Sequence, residues 1–337
     1  MRVADREEMV VKLLVIGDRK RFEKFLPDRD IVKQVEVAVA ERGSSDAEVV
    51  ALAGDADVIV ADAISPVGSA LMDAFPSLKL VHSEGVAYNA IDVAAARERG
   101  ITVCNNAGMN AAAVAEQAIL LMLACLRHAV EGDAAVRSGR QIKMKERLMV
   151  QGIRDLGDCT VGLVGLGAIA RATAERLRAF GCTVVYWNRN RRSAEEEQAL
   201  GVSYLPLEEL AATCDIVSLH VPVTPDTENL VDAAFLARMK PDAVLVNTAR
   251  GEIVDQDALA DALMAGTIGG AGLDTLSPEP VAADHPLAAL TGPAANRLVL
   301  SPHIGGVTEG SFRRAWTTIW SNVESLATSA PLVNVVS

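Results

Sequence analysis

Residues 160–188 read TVGLVGLGAIARATAERLRAFGCTVVYWN, and they contain the clearest structural pattern in the chain. An apolar β-branched run at 161–164 leads into a small-residue turn, and a helical pattern then continues to Gly181 before a second apolar run. A strand, a glycine turn, a helix and a strand within about 30 residues form the setting of a dinucleotide-binding fingerprint. The alternative is a turn that only packs a βαβ unit, but this setting favours dinucleotide binding.

Each small residue of the turn has a predicted role. Gly165 permits the tight turn, Gly167 lets the backbone approach a pyrophosphate, and Ala170 lets the helix lie close to its strand. The first helical N–H groups, those of Ala168 and Ile169, would then face the phosphates, because a helix N-terminus carries a partial positive charge.

The end of the second strand bears on the choice of cofactor. NAD sites usually carry an acidic residue there, about 20 residues after the glycines, which accepts hydrogen bonds from the ribose 2′-OH. This chain has Asn188 at that position, followed by Arg189, Arg191 and Arg192. A neutral amide does not repel a 2′-phosphate and an arginine can bind it through two hydrogen bonds, so the loop favours NADP over NAD. The alternative is a solvated basic loop before a helix that starts near Ser193.

Composition limits the class of protein. A chain of 337 residues can form two domains with separate cores, and the net charge of −12 argues against nucleic acid or an anionic membrane as the main partner. The apolar stretch at 111–126 is interrupted by Glu116 and Gln117, so we do not expect it to span a membrane. The N-terminus is charged and the five cysteines show no CxxC spacing. We therefore expect a cytoplasmic protein with reduced cysteines and no metal site.

The first third of the chain alternates apolar strands with helical segments, which predicts a parallel sheet with helices on its faces. The loop at 83–89 follows the fourth strand, at the sheet edge where ligands of open α/β sheets bind. The predicted strands are 12–17, 36–39, 58–61, 78–81 and 102–104, and the predicted helices are 20–26, 46–53, 66–74 and 92–99.

The later part of the chain repeats this alternation around the fingerprint. A long helix is predicted from 111 to about 130, and residues 137–154, rich in Arg and Lys, are predicted to form a solvated connection. The segment after 308 has apolar residues at helical spacing and too little chain to bury them, so it must dock on an earlier domain. Further strands are predicted at 216–219, 244–246, 272–273 and 299–300, and further helices at 233–239 and 255–265.

Three polar residues could carry chemistry. Arg250, Glu279 and His303 each follow an apolar strand and precede a loop, so they can converge at the carboxyl edge of one sheet. This set suits the reduction of a 2-oxo acid, in which Arg binds the carboxylate, His gives a proton to the carbonyl oxygen and Glu orients the imidazole. Each residue also has a simpler interpretation, namely a surface ion pair, an ordinary loop residue and a strand-end cap, respectively.

The motifs resemble those of the D-isomer-specific 2-hydroxyacid dehydrogenase family, which includes glyoxylate/hydroxypyruvate reductases and phosphoglycerate dehydrogenases. The resemblance covers essentially the whole chain. It rests on GLGAIA at 165–170, HVPVTPDT at 220–227, NTARG at 247–251, GLD at 272–274, SPEP at 277–280 and SPHIGG at 301–306. It implies an α/β fold of two doubly wound parallel-sheet domains. A Rossmann cofactor domain (108–307) would be inserted in a flavodoxin-like substrate domain (1–107 plus 308–337).

The resemblance also implies roles for single residues. Arg250 would bind the substrate carboxylate, Glu279 would assist, and His303 would be the acid/base. The backbone of Gly85, Val86 and Ala87 resembles the loop that binds the substrate carboxylate in the family. Cofactor contacts are implied at His220, Pro222, Thr227, Thr248, Ala249, Asp274 and Gly305, in addition to the fingerprint residues and Asn188 and Arg189.

The sequence therefore predicts an NADP-preferring oxidoreductase, with NAD as a possible cofactor, that acts on a small 2-oxo acid or D-2-hydroxy acid. The resemblance implies a homodimer that associates through the helix from 111. Glu84, beside the carboxylate loop, is expected to disfavour a second anionic group on the substrate. The alternative function is an NAD(P)(H)-sensing, corepressor-like binding protein, and the complete Arg–Glu–His set argues against it.

Overall fold

The computed structural model describes residues 11–336 and divides the chain into two compact units. One unit runs to Asn110 and resumes at Thr308, and the other is Ala111–Val307. The predicted boundary between 307 and 308 coincides with this division, whereas the first boundary lies after Asn110 and not after residue 107.

Strands and helices alternate along both units, with short 3₁₀ turns at Leu156–Asp158 and Gly251–Ile253. The strands are β1 Lys12–Ile16, β2 Glu36–Ala40, β3 Val58–Ala61, β4 Leu80–Ser83, β5 Thr102–Cys104, β6 Thr160–Val164, β7 Thr183–Trp187, β8 Ser203–Tyr204, β9 Ile216–Leu219, β10 Val244–Asn247, β11 Gly270–Leu273 and β12 Leu298–Leu300. The helices are α1 Arg19–Phe25, α2 Asp30–Gln34, α3 Asp46–Ala53, α4 Ser69–Asp73, α5 Val93–Glu98, α6 Ala111–Leu126, α7 Ala129–Arg137, α8 Gln141–Gln151, α9 Ala168–Phe180, α10 Ala194–Leu200, α11 Leu207–Thr213, α12 Ala233–Arg238, α13 Gln256–Ala265, α14 Gly292–Ala295 and α15 Glu309–Thr328.

Both sheets are parallel and doubly wound, which confirms the predicted fold class. The first unit has the strand order β2-β1-β3-β4-β5, the order of flavodoxin-like sheets. The second has the order β12-β11-β10-β9-β6-β7-β8, in which the chain reverses direction across the sheet between β6 and β9. Dinucleotides bind at such a reversal, beyond the carboxyl ends of the strands.

The C-terminal helix α15 completes the core of the first unit. Trp316, Ile319 and Trp320 are buried in one cluster with strand residues such as Leu13. Phe22 of α1 contacts Trp316 edge-on, with ring centroids 5.1 Å apart. The apolar face of α15 is thus covered by the first sheet and its helices, and the prediction that the last segment docks on an earlier domain is confirmed.

Helix α6 completes the core of the second unit. Leu121 and Met122 are buried in one cluster with Leu163 of β6 and Val246 of β10. A side chain at Gly272 of β11 would place its Cβ 2.8 Å from the Leu121 Cβ, so the glycine permits the close approach of helix and sheet.

One prediction for residues 111–154 was wrong, and another missed a helix. The single long helix is broken, because His128 adopts a left-handed φ of 51° between α6 and α7. The predicted solvated connection contains α8, which buries none of its residues and so lacks the core-facing periodicity that would have indicated a helix. No single helix in residues 11–336 is long and apolar enough to cross a membrane; α6 and α7, bent by 57°, meet the length and composition test only as a pair.

Candidate active site

The fingerprint turn forms an open cradle at the carboxyl end of β6. Gly165 has a φ of +99°, and a Cβ there would lie 2.6 Å from the His220 carbonyl oxygen, so only glycine fits. A Cβ at Gly167 would meet no atom within 4 Å, and no side chain caps the α9 N-terminus. The first N–H groups of α9, including those of Ala168 and Ile169, are therefore available to an anion such as a pyrophosphate.

Of two threonines after the neighbouring strands, one is free to contact a cofactor and the other is not. The buried hydroxyl of Thr248 has no hydrogen-bond partner among the described residues, which is unusual for a polar atom unless a ligand supplies one. The Thr227 hydroxyl, by contrast, donates to the Pro222 carbonyl oxygen at 2.6 Å, so this side chain shapes its own loop. In the part of the chain that the structure describes, no group of three or more His, Cys, Asp or Glu residues could hold a metal ion.

Asp274 fixes the loop that carries His303. Its carboxylate is buried and accepts hydrogen bonds from the Ile304 and Gly305 N–H groups at 3.1 and 2.8 Å, and from the Ser301 hydroxyl. The sequence predicted a cofactor contact for Asp274 and Gly305; the structure shows that they bind each other and hold the loop.

His303 and Glu279 lie together, as the predicted acid/base pair requires. Nδ1 of His303 lies 3.0 and 2.9 Å from the two carboxylate oxygens of Glu279. The backbone N–H of His303 donates to the Asp274 carbonyl oxygen at 2.8 Å. An ionised carboxylate can only accept a hydrogen bond, so in the neutral ring the proton is on Nδ1, which donates it to Glu279. Nε2 has no acceptor or donor among residues 11–336, and both side chains are exposed, so this nitrogen is available to a ligand.

Arg250 does not form the surface ion pair that was the simpler interpretation of this residue. Its guanidinium donates one hydrogen bond, to the neighbouring Ala249 carbonyl oxygen at 2.7 Å, and no described carboxylate lies within ion-pair distance. The turn that carries it is shaped by Asn247, whose side chain donates to the Arg250 carbonyl oxygen and accepts from the Ala249 N–H. The exposed guanidinium is thus free to bind an anion.

A clamp that the sequence did not reveal joins the loops of Arg250 and Glu279. The Gln256 side chain donates to the Ser277 carbonyl oxygen at 2.7 Å and accepts from the Ser277 N–H at 3.1 Å. A Cβ at Gly251 would lie 2.2 Å from the Leu276 carbonyl carbon, so the two loops are in backbone contact. Gln256 is the first residue of α13 and has no local signature, so only the fold shows its function.

The predicted 2′-phosphate loop is basic but mostly paired. Arg191 forms two hydrogen bonds with Glu197, at 2.8 and 2.9 Å. Arg189 contacts Asp226 at 2.7 Å, and both side chains are largely exposed, so this pair is weak and can be exchanged for another anion. The Asn188 amide donates to the Asn190 carbonyl oxygen, and it leaves no acidic group at the end of β7.

In the first unit, the 85–87 loop has backbone donors that are not used within the described residues. The Asn105 amide donates to the Val86 carbonyl oxygen at 2.7 Å, and the Ser83 hydroxyl donates to the Ala87 carbonyl oxygen at 2.6 Å. The N–H groups of Val86 and Ala87 donate to no acceptor in the described ranges. Because its carbonyl groups are held by Asn105 and Ser83, the loop is suited to bind a carboxylate through its N–H groups.

Known proteins resemble this chain in sequence and in structure. The family model "D-isomer specific 2-hydroxyacid dehydrogenase, NAD binding domain" matches residues 119–305. A glyoxylate reductase of Korarchaeum cryptofilum is 38% identical over 269 residues, which cover 80% of this chain and 79% of that protein. The structure of NAD⁺-bound D-lactate dehydrogenase from Lactobacillus jensenii matches with a TM-score of 0.85 and 26% identity, over 97% of this chain and 100% of that one. An acyclic imino acid reductase in complex with NADPH and D-Arg matches with a TM-score of 0.79 and 27% identity, over 97% and 100% of the two chains.

Two histidines, His82, which is fully buried, and His220, which is partly buried, should make stability depend on pH. Burial lowers the pKa of His220 from 6.5 to about 4, so the unfolded chain binds the proton more tightly than the folded one. Stability is therefore full above pH 6.5 and is lost as the pH falls towards 4. Between pH 7 and pH 5, His220 should cost about 2 kcal/mol of unfolding free energy.

Urea unfolding at the two pH values measures this loss in the native protein and in His220→Gln. The variant should lose about 2 kcal/mol less on acidification. His82 of the first unit, with its pKa also lowered to about 4 by burial, offers a matched second variant, His82→Gln. An unchanged pH dependence in both variants would contradict the account.

Proposed function

We propose a specific activity for this chain on the premise that it belongs to the D-isomer-specific 2-hydroxyacid dehydrogenase family. Members of this family are enzymes that transfer a hydride between a nicotinamide cofactor and a 2-hydroxy acid. This protein is such an enzyme. The finer proposal is an NADP-preferring reductase of small 2-oxo acids that forms D-2-hydroxy acids. The observation that carries it is the hydrogen-bonded His303–Glu279 pair, whose second imidazole nitrogen is left available.

Each functional residue of the second unit would have a separate role in the reduction. The bound nicotinamide supplies the hydride. Arg250 binds the substrate carboxylate through its planar fork, and its charge polarises the adjacent carbonyl oxygen. His303 gives the proton on Nε2 to that oxygen as negative charge develops there. Glu279, held at Nδ1, orients the ring and stabilises the imidazolium before transfer.

The alternative, a corepressor-like NAD(P)(H) sensor, finds no support in the relatives described above. A protein that only binds the cofactor has no need of a carboxylate-oriented histidine or of an arginine without an ion-pair partner among the described residues. The N–H groups of Val86 and Ala87, which donate to no described acceptor, also favour an enzyme, because they suit the expected carboxylate loop.

Substitution of the pair tests the catalytic assignment. His303→Ala should lower kcat by about 10²–10⁴-fold, because proton transfer by a positioned side chain contributes that much. Glu279→Gln, which keeps the shape but not the charge, should lower kcat by a smaller factor. NADPH affinity, followed by fluorescence titration, should stay within a few-fold of the native value. The matched control is Glu208→Gln on the exposed surface of α11; turnover by His303→Ala at more than a tenth of the native rate would contradict the assignment.

The preference for NADP rests on Asn188 and Arg189. No carboxylate at the end of β7 opposes a 2′-phosphate, and the exposed Arg189–Asp226 pair can open to bind it. Arg191 is committed to Glu197 and lies over the Tyr204 ring at 5.5 Å, so we assign it to the fold and not to the cofactor. One structural relative carries NADPH and another carries NAD⁺, so the family fold accommodates both.

Two neighbouring arginines provide a matched test of this preference. Arg189→Ala should lower the ratio of kcat/KM for NADPH to that for NADH by about tenfold or more, the value of a lost charge-assisted hydrogen bond. Arg191→Ala should leave the ratio within about twofold. A native enzyme that prefers NADH would show the loop to be solvated surface.

We also propose that the protein is a homodimer whose interface includes α8. This helix buries none of its residues, and the side chains of Met149 and Val150 are 74% and 91% exposed. Ile142 on the same helix and Val136 on α7 are exposed as well. Several apolar side chains on adjoining elements form a patch that a second copy of the chain would cover.

A charge placed in this patch should dissociate the dimer. Val150→Glu should give the mass of a monomer by light scattering coupled to size exclusion, because an unpaired carboxylate is costly in an apolar interface. Leu52→Glu, at an apolar residue 52% exposed in the other unit, is the control and should keep the native mass. A monomeric native protein would contradict the proposal.

A further inference from the structure

A cavity of about 190 Å³ opens in the first unit beside the 85–87 loop. It lies beyond the carboxyl ends of β3 and β4, where ligands of open α/β sheets bind. None of its charged residues has a role in the chemistry proposed above. The lining residues that matter here are Arg21, Arg42, Asp62, Glu84, Gly85 and Phe312.

Glu84 is buried, and its charge is compensated. Nε and Nη2 of Arg21 both donate to the Glu84 carboxylate, the first at 2.9 Å, and Trp316 donates to it from α15 at 3.1 Å. Burial raises the pKa of Glu84, and the charge of Arg21 opposes that rise. The expectation that Glu84 repels a second anionic group assumed an unpaired carboxylate, and this pairing removes its basis.

Asp62 is buried and compensated in the same way. Arg42 Nε donates to one carboxylate oxygen at 2.6 Å, and the Ile64 and Ser65 N–H groups donate to the other at 3.2 and 2.8 Å. The Arg42 side chain is 51% exposed, so the rest of its guanidinium reaches solvent.

The hydrogen-bonding capacity left on the charged residues that line the cavity is of one kind. All four oxygens of the two carboxylates accept hydrogen bonds, whereas Arg21 Nη1 and both terminal nitrogens of Arg42 donate to no acceptor in residues 11–336. Unused guanidinium donors favour an anion, and a planar carboxylate matches their geometry. The two guanidinium charges are balanced by the Asp62 and Glu84 carboxylates, so the cavity suits the single charge of a carboxylate better than a phosphate ester, which carries close to two negative charges at neutral pH.

We propose that this cavity binds the second carboxylate of a 2-oxo dicarboxylic acid, with Arg42 as the main specificity residue and Arg21 as a second donor. The inference rests on the proposed function, because it names the substrate class of the same enzyme. The N–H groups of Val86 and Ala87 would bind the first carboxylate of such a substrate. Gly85, the first residue of the same loop, lines the cavity.

The test compares 2-oxoglutarate with 5-methyl-2-oxohexanoate, in which an isopropyl group replaces the second carboxylate at similar size. The native enzyme should show a kcat/KM at least about tenfold higher for 2-oxoglutarate, the value of charge-assisted hydrogen bonds. Arg42→Gln should lower this ratio by about tenfold. The control is Arg99→Gln, which removes an arginine paired with Asp73 on the same unit and should leave the ratio unchanged.

A binding measurement keeps the inference testable without turnover. Glutarate should bind the native protein more tightly than 5-methylhexanoate does in calorimetric titration, and Arg42→Gln should abolish the difference. If Arg42→Gln does not fold, Arg42→Lys keeps the charge but not the fork, and it should give an intermediate ratio.

The outcomes separate the two proposals. Equal kcat/KM for both substrates, or a ratio that Arg42→Gln leaves unchanged, overturns the inference while the proposed function stands. A preference for 3-phosphohydroxypyruvate over 2-oxoglutarate overturns the assignment to a carboxylate. Failure to reduce any 2-oxo acid overturns the proposed function, and the glutarate titration then decides the inference alone.

Discussion

The buried carboxylate of Asp274 is the constraint on which the geometry of the second unit depends. A buried charge is tolerated only when it is fully hydrogen-bonded, and every donor to Asp274 comes from residues 301–305. The loop therefore has one favourable conformation. That conformation holds His303 at a left-handed φ of 54°, which costs a residue with a side chain about 1–2 kcal/mol. The Asp274 hydrogen bonds offset this cost, and the imidazole is presented to Glu279 as a result.

The fold could be predicted from the sequence because its determinants are local. Apolar strands bounded by glycine and polar turns predicted the parallel sheets, and the resemblance to the family implied how the two units share the chain. Residue types at strand ends predicted the His303–Glu279 pair. Helix α8 was missed because it buries none of its residues, and periodicity reports only helices that bury a face in their own chain. The break between α6 and α7 was missed for another reason, namely the left-handed backbone conformation of His128.

The support of the site could not be predicted, because it depends on contacts between distant segments. Gln256 meets Ser277 only after α13 and the loop beyond β11 have folded, and nothing near Gln256 in sequence distinguishes it. The charge state of the surroundings of Glu84 could not be predicted from the sequence for the same reason. Its partners, Arg21 and Trp316, lie 63 and 232 residues away, so the sequence displayed an acidic residue where the structure has a neutralised one.

Chemistry and substrate choice therefore draw on different kinds of information in this protein. Hydride transfer with proton donation needs a few atoms at fixed positions, and short motifs at strand ends supply them. The choice of substrate depends on which hydrogen-bond donors remain after the charged residues have paired with one another. In the first unit that remainder consists of guanidinium and backbone N–H groups, although an acidic residue adjoins the loop. Similarity to a glyoxylate reductase thus establishes the class of reaction, whereas the pairing around Asp62 and Glu84 is the physical basis of the proposed substrate class.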